Sequence, residues 1–157
     1  MTPESFPVAQ DSAPLWRRFA ALVYDLLVLA ALSMAYSALA ILAYVSITGE
    51  QGEAYTPMFE GPLFPLGWLA LILGFYLFFW SRGGQTLGMR AWRLRLTDSR
   101  GHSPSIRQCA LRCLAGPFAL GLAAFGYWWA WFDREGRCWH DRVSGTRVVV
   151  LEKEKKL

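Results

Sequence analysis

The stretch FAALVYDLLVLAALSMAYSALAILAYVSI, residues 19–47, decides the fold, because it holds one charged residue, Asp25. About 20 apolar residues in a helix cross the core of a bilayer, and this stretch is long enough to do so with tilt. A second stretch, PLFPLGWLALILGFYLFFW at residues 62–80, contains no charge. Both stretches therefore predict membrane-spanning helices.

The composition agrees with a membrane protein. Hydrophobic residues make up 54% of the 157 positions and charged residues 18%, against about 45–50% and about 25% in soluble domains. The aromatic content of 15% excludes intrinsic disorder, and three cysteines exclude an even disulfide framework. The first 15 residues carry no Lys or Arg, and the apolar run that follows is too long for a cleaved signal peptide. We therefore expect the first span to remain as an anchor.

A third apolar run, CALRCLAGPFALGLAAFGYWWAW at residues 109–131, is interrupted by Gly116-Pro117. Proline removes a helical hydrogen bond and kinks or breaks the helix. Residues 105–114 are amphipathic, which is typical of a helix in the membrane interface. We expect a broken third segment over about residues 105–131 that is re-entrant or interfacial, with a kinked full span as the alternative.

The charges predict an orientation in the membrane. Residues 81–108 carry six Arg and one acid, whereas residues 48–61 carry three Glu and no base. Cytoplasmic loops are enriched in Lys and Arg, so the N-terminus and residues 81–108 are expected inside and residues 48–61 outside. The tail, residues 132–157, has seven bases and five acids, which favours a cytoplasmic C-terminus. We predict a multi-pass protein of the inner (plasma) membrane.

Two polar segments predict β-strands. AWRLRLTD, residues 91–98, alternates apolar and polar side chains, and TRVVVL, residues 146–151, is rich in β-branched residues. Their pairing requires both to lie on one side of the membrane.

The predicted fold class is an all-α membrane protein with two transmembrane helices, the broken third segment and a small cytoplasmic β segment. Three regions are expected along the chain: an N-terminal cytoplasmic tail at residues 1–15, a membrane domain at 16–151 and a charged tail at 152–157.

Asp25 is the most informative single position. A charge inside a span costs about 2.5–3.5 kcal/mol on insertion scales, so it indicates a functional site with a partner. Arg18 lies seven residues earlier on nearly the same helix face, about 10.5 Å away along the axis, and Arg112 is the expected direct charge partner. One interpretation is a proton or cation relay through Asp25. The other is a buried Asp–Arg pair that fixes helix packing.

Two polar segments outside the spans also carry candidate residues. Asp141, in CWHDR at residues 138–142, is expected to accept from Arg18, to anchor a turn or to cap the tail. The loop with Gly84, Gln85, Thr86 and Gly88 lacks the Gly-Lys-Ser/Thr ending of a phosphate loop, so we expect a structural chain reversal. The cysteines and histidines match no structural zinc spacing, and we expect no metal and no cofactor.

Three blocks together resemble the RDD family of small, mostly bacterial membrane proteins. They are RFAALVYD at residues 18–25, GQTLGMR at 84–90 and WHDRVSGTRVV at 139–149. The resemblance identifies Arg18, Asp25 and Asp141 as the one Arg and two Asp that give the family its name, and Arg112 matches another basic position. Met89 stands where family members usually carry a Lys. The resemblance covers about residues 17–150 and implies a membrane protein, with transport roles, including sodium/proton antiport, proposed for some members.

Two functions follow from these features. The first is ion transport: Asp25 exchanges a proton for a small cation, with Arg18 and Asp141 in the relay, and the chain forms a homo-oligomer because two or three spans do not enclose a pathway. The alternative is a non-catalytic scaffold, assembly or stress accessory protein that binds a membrane partner protein or anionic lipid. The sequence contains no nucleophile–base pair or cofactor loop, so we expect no enzymatic activity. The aromatic residues cluster at span ends rather than on a basic face, so we expect no nucleic-acid partner.

Overall fold

The computed structural model describes residues 12–49, 61–121, 128–133 and 136–151. Most of the predicted N-terminal tail, nearly all of the acidic loop and the charged C-terminal tail lie outside these ranges. The described elements, in chain order, are α1 (Leu15–Thr48), α2 (Leu63–Gly83), α3 (Leu87–Ala91), β1 (Leu94–Asp98), α4 (Ile106–Gly121), a 3₁₀ turn (Trp129–Trp131), α5 (Trp139–Ser144) and β2 (Thr146–Val150).

Helices α1 and α2 are long and apolar enough to cross a membrane, as the sequence predicts. The 34 residues of α1 extend about 51 Å at 1.5 Å per residue, more than the hydrocarbon core requires. Large apolar side chains remain exposed on both helices; Met34 is 74% exposed and Leu63 83%. A core helix of a soluble protein would bury such side chains, so their exposure indicates contact with lipid.

The described chain forms two compact units, of which the first, the helical unit, comprises Leu26–Phe75. It contains the later part of α1 and the earlier part of α2. The Tyr36 hydroxyl donates to the Phe64 carbonyl oxygen at 2.9 Å, and the Trp68 indole N–H donates to Ser33 Oγ at 2.8 Å. These two hydrogen bonds link the helices of this unit without a charged side chain.

The second unit, the sheet unit, comprises Met1–Asp25 and Tyr76–Leu157. Within it β1 and β2 pair antiparallel, from Leu94 opposite Val150 to Asp98 opposite Thr146. The predicted β segment is therefore confirmed. Strand β1 begins three residues later than the alternation suggests, because Ala91 ends helix α3.

The outer edge of β1 is covered by the loop that follows α2. The Leu96 N–H donates to the Gly84 carbonyl oxygen at 2.7 Å, and Gln85 Nε2 donates to the Leu94 carbonyl oxygen at 2.7 Å. Gly84 has φ +66°, and a Cβ atom there would lie 2.5 Å from the Leu96 carbonyl oxygen. Glycine is therefore required for this close approach, which agrees with the predicted structural role of the loop.

The outer edge of β2 is covered by the segment that precedes α1. The Ala13 N–H donates to the Val148 carbonyl oxygen at 2.8 Å, and Ser12 forms a β-bridge with Val149. The start of α1 and the end of α2 consequently meet at the same small sheet.

Helix α4 differs from the prediction for the third apolar run. It continues through Gly116 and Pro117 to Gly121, so the interruption expected at Gly116-Pro117 is absent from the described helix. The proline removes one backbone donor, and the remaining hydrogen bonds of a 16-residue helix sustain it. Residues 122–127, which belong to the predicted segment, lie outside the described residues.

A single apolar cluster holds the sheet unit together. It joins the start of α1, the end of α2, α3, the sheet and α4 through the buried residues Ala13, Ala21, Trp80, Met89, Leu94, Leu96, Cys109 and Val148.

Candidate functional site

Asp141 occupies the first turn of α5. It is the third residue of this helix, and its Oδ2 atom accepts the Cys138 backbone N–H at 3.0 Å. A carboxylate at this position satisfies a free N–H and lies favourably at the positive end of the helix dipole. Its side chain is fully buried, so the charge also needs partners from other elements.

Two arginines from distant elements supply those partners. Arg18 Nη1 donates to Asp141 Oδ2 at 2.5 Å, and Arg112 Nη1 donates to Asp141 Oδ1. Arg18 and Arg112 are also buried. We call these three side chains the Arg–Asp cluster. One carboxylate lies between two guanidinium groups, and hydrogen bonds between such ionised groups are stronger than neutral ones.

Arg18 also donates hydrogen bonds to three other parts of the chain. Its Nε atom donates to the Ala13 carbonyl oxygen at 2.9 Å, and Nη2 donates to the Val148 carbonyl oxygen at 3.5 Å. Nη1 also donates to Cys138 Sγ at 3.0 Å. One guanidinium group therefore connects α1 with the segment before it, with β2 and with the start of α5.

Arg112 connects α4 with the other side of the cluster. Its Nη1 atom donates to Thr146 Oγ1 at 3.1 Å, and Thr146 Oγ1 lies 2.7 Å from Ser144 Oγ. The Arg112 guanidinium carbon lies 5.2 Å from the centroid of the Trp80 ring, within cation–π range. Helix α4 is thereby attached to the α5–β2 turn and to the end of α2.

Asp25 forms a different site with neutral donors. Its Oδ2 atom accepts from the Thr86 hydroxyl at 2.6 Å, and Oδ1 accepts from the Gly88 N–H at 2.8 Å. Thr86 is the N-cap of α3, and its Oγ1 accepts the Met89 N–H at 3.2 Å. The buried carboxylate of Asp25 thus lies at the positive end of α3. Among the ion pairs between described residues, none includes Asp25.

Gly88 permits the close approach of α3 to α1. A Cβ atom at Gly88 would collide with the Ala21 carbonyl oxygen and lie 2.9 Å from Asp25 Oδ1. Real Cβ atoms do not tolerate such contacts with backbone, so glycine is required for the hydrogen bond to Asp25 to form.

The structure divides the candidate residues between two places. Asp141 accepts a hydrogen bond from Arg18, which is one of the three roles expected for it from the sequence, and it also accepts from Arg112. Arg112 is therefore the charge partner of Asp141 and not of Asp25. Asp25 instead meets Thr86 and Gly88.

Sequence reasoning missed the contacts of Cys138 and Thr146 with the arginines. No residue pattern pointed to Thr146. Cys138 lies three residues before Asp141 in CWHDR, and this spacing was the available signal for its contact with the cluster.

The electrostatics of the Arg–Asp cluster favour fixed charges. Burial raises the pKa of Asp141, but the Arg112 and Arg18 guanidinium groups outweigh it and hold that pKa well below its usual range. Burial, together with Arg112, lowers the pKa of His140 to about 3, so its imidazole is neutral at neutral pH. Burial raises the pKa of the Cys138 thiol to about 11, so the sulfur stays protonated.

A metal ion is disfavoured here even though three ligand types lie together. Cys138, His140 and Asp141 each offer a ligand atom, all within 4.8 Å of one another. Metal binding requires a deprotonated thiol and a free carboxylate. Both carboxylate oxygens of Asp141 already accept from the Arg18 and Arg112 guanidinium groups, so the carboxylate is not free to bind a metal ion.

Comparison with known proteins identifies one family. The model of the RDD family matches residues 12–145, a range that contains both sites described above. No curated protein sequence and no solved structure matches the chain significantly.

Proposed function

The chain belongs to the RDD family, and on that premise we propose that it is a non-catalytic inner-membrane accessory protein. In this proposal the sheet unit lies at the cytoplasmic face and binds a membrane partner protein with an acidic surface. One observation carries the proposal: the polar groups of Arg18, Asp25 and Asp141 are engaged in hydrogen bonds inside the chain.

The Arg–Asp cluster supports a role in assembling the sheet unit. It joins α1, α4, α5 and β2 through one buried carboxylate. Removal of one partner from a buried ion pair typically costs about 3–5 kcal/mol, because the other charge stays buried and uncompensated. We therefore assign a structural role to the signature residues of the cluster. The binding function is assigned to the exposed surface of the sheet unit.

The described surface of the sheet unit is basic. Its acids in the described ranges, Asp25, Asp98, Asp133 and Asp141, are all buried or half-buried, whereas six arginines are exposed: Arg82, Arg90, Arg93, Arg100, Arg107 and Arg142. Such a surface attracts anionic partners and accelerates their association. An acidic protein surface beside the membrane is the partner that fits.

Charge reversal tests this proposal. The tagged protein is cross-linked in native membranes, solubilised in mild detergent and captured, as wild type, as Arg90→Glu/Arg93→Glu and as Arg90→Lys/Arg93→Lys. We expect a stoichiometric partner with the wild type and the lysine variant, and at least a tenfold loss with the glutamate variant. Recovery of only a homo-oligomer in all three samples contradicts the proposal.

A second candidate function is proton/cation exchange through Asp25 in a homo-oligomer. It is favoured by the neutral donors at this carboxylate: Asp25 can take up a proton without leaving a buried arginine uncompensated. Two apolar helices do not enclose a pathway, so several copies must contribute.

Vesicle flux decides between the two functions. Purified protein is reconstituted into vesicles, and proton movement driven by a sodium gradient is followed with a pH-sensitive dye. Exchange predicts a flux in the wild type that Asp25→Asn abolishes and the turn variant Asp98→Asn retains. The accessory proposal predicts the same background flux in all three samples.

A further inference from the structure

The pairing of β1 with β2 restricts the path of the third apolar segment. Asp98 at the end of β1 lies opposite Thr146 at the start of β2. The chain between them therefore leaves the sheet and returns to it, so it crosses the membrane an even number of times or not at all. Helix α4 has 16 residues, about 24 Å in length, which is shorter than a hydrocarbon core of about 30 Å.

Helix α4 exposes one apolar stripe. Leu111, Leu114 and Phe118 follow one another at spacings of three and four residues, so they share a face. Leu114 is 63% exposed and Phe118 67%, whereas Cys109 and Arg112 on the opposite face are buried. The stripe is therefore separate from the side of the helix that packs against the Arg–Asp cluster.

Helix α5, which packs against α4, exposes a second apolar face. Trp139 and Val143 are four residues apart on one face of this helix, and both are exposed. Arg107 begins the stripe on α4, and Arg142 lies beside Val143; both arginines are exposed. An apolar face bordered by arginines and bearing a tryptophan is typical of a helix that lies in the plane of a membrane interface.

The contact with α2 locates α4 relative to a candidate membrane span. Arg112 of α4 lies over the ring of Trp80, three residues before the end of α2 at Gly83. Since α2 is apolar enough to cross a membrane, α4 is attached where that span reaches the boundary of the bilayer. A helix attached at this level has lipid as a neighbour, and an exposed apolar stripe on it is buried most favourably against lipid.

We propose that Leu111, Leu114 and Phe118 of α4, with Trp139 and Val143 of α5, bind the phospholipid interface of the leaflet nearest the sheet. Helix α4 lies on this leaflet and does not cross the membrane. Arg107 and Arg142 contact lipid phosphates at its edge. This inference shares Arg107 and Arg142 with the basic surface described above, but it concerns the apolar face beside them and depends on neither of the two proposed functions.

Two measurements test it in reconstituted full-length protein. In the first, a spin-labelled amino acid is introduced by codon suppression at Leu114 or, as a control, at Arg100 in the exposed turn after β1. We expect oxygen, which concentrates in lipid, to relax the label at position 114 at least threefold more than a water-soluble nickel complex does. We expect the opposite order at position 100. Equal, water-like accessibility at both positions overturns the proposal.

The second measurement excludes a crossing helix, which would also contact lipid. Protease-cleavable tags are placed after Gly101 and at the C-terminus, and cleavage is compared in sealed vesicles and after permeabilisation. Both tags are expected to be cleaved from the same side. Cleavage from opposite sides overturns the proposal, whatever the spin labels report.

Discussion

Asp25 and Asp141 are both buried aspartates in the sheet unit, and they are stabilised in opposite ways. Asp141 lies between two guanidinium groups that come from α1 and α4. Asp25 accepts from a hydroxyl and a backbone N–H at the start of α3. A fixed ion triad fails when its charge is removed, whereas a carboxylate held by neutral dipoles can lose its charge and keep most of its contacts. The two sites should therefore differ in their response to the same substitution.

The largest effect is expected for Asp141→Asn. The amide leaves two buried guanidinium groups uncompensated, so we expect a loss of about 3–5 kcal/mol in the free energy of unfolding, with poor accumulation in the membrane. Thermal unfolding in detergent and the yield per cell measure it. The control, Asp98→Asn, keeps a side-chain oxygen that can accept from the Arg100 and His102 N–H, so it should change stability by about 1 kcal/mol at most. Equal unfolding curves for both variants would refute the central role of the Arg–Asp cluster.

Acidification should lower the stability of the fold through residues at the Asp141 site. The pKa of His140 is lowered from 6.5 to about 3, so below pH 6.5 the unfolded chain binds a proton that the folded chain does not bind until about pH 3. The lowered pKa of Asp141 acts in the same direction below its ordinary value of 3.8. Stability should therefore fall as pH falls from 6.5, by up to about 1.4 kcal/mol per pH unit for His140.

Melting temperatures between pH 7.5 and 4.5 check this prediction. His140→Gln removes the titrating group, so its melting temperature should depend less on pH over that range. A slope as steep as that of the wild type would assign the acid sensitivity to other residues.

Gly88→Ala should disrupt the Asp25 site by steric overlap. The added Cβ meets the Ala21 carbonyl oxygen, a backbone atom that cannot rotate away. We expect a destabilisation of about 1–3 kcal/mol, as for overpacked cores. Gly83→Ala is the matched control, because a Cβ there has no neighbour within 4 Å; it should be neutral or slightly stabilising. Chemical unfolding of both variants in one detergent provides the measurement.

Asp25→Asn should have the smallest effect. The amide oxygen still accepts from the Gly88 N–H, so the variant loses charge assistance and one favourable hydrogen bond with Thr86, worth about 1 kcal/mol. The comparison with Asp141→Asn is the informative result. If the two variants lose the same stability, the distinction between an ion triad and a neutral-donor site does not hold.

The sequence predicts much of this fold from local patterns. The long apolar runs, one with a single charge and one with none, predict α1 and α2. The alternation in residues 91–98 and the β-branched run at 146–151 predict the sheet. These features depend on neighbours along the chain. The break expected at Gly116-Pro117 is absent because one missing donor does not end a helix of this length.

The partners of the acidic residues were harder to predict. Asp25 and Gly88 are 63 positions apart, and their contact depends on how closely α3 approaches α1. Arg112 was expected to pair with Asp25, because both lie in apolar runs, yet α5 brings Asp141 to Arg112 instead. Which residue pairs with which carboxylate depends on tertiary packing, and the spacing of residues along the sequence does not reveal it.

Arg18 precedes Asp141 by 123 positions, which has a consequence for biosynthesis. The ribosome delivers both apolar helices and both arginines before it has made the carboxylate that compensates them. Until α5 is translated, we expect the guanidinium groups to stay hydrated and the nascent sheet unit to stay open. A prematurely terminated chain would keep its two apolar helices but lack Asp141. Its two arginines would then stay without their carboxylate, and quality-control proteases could recognise the open sheet unit.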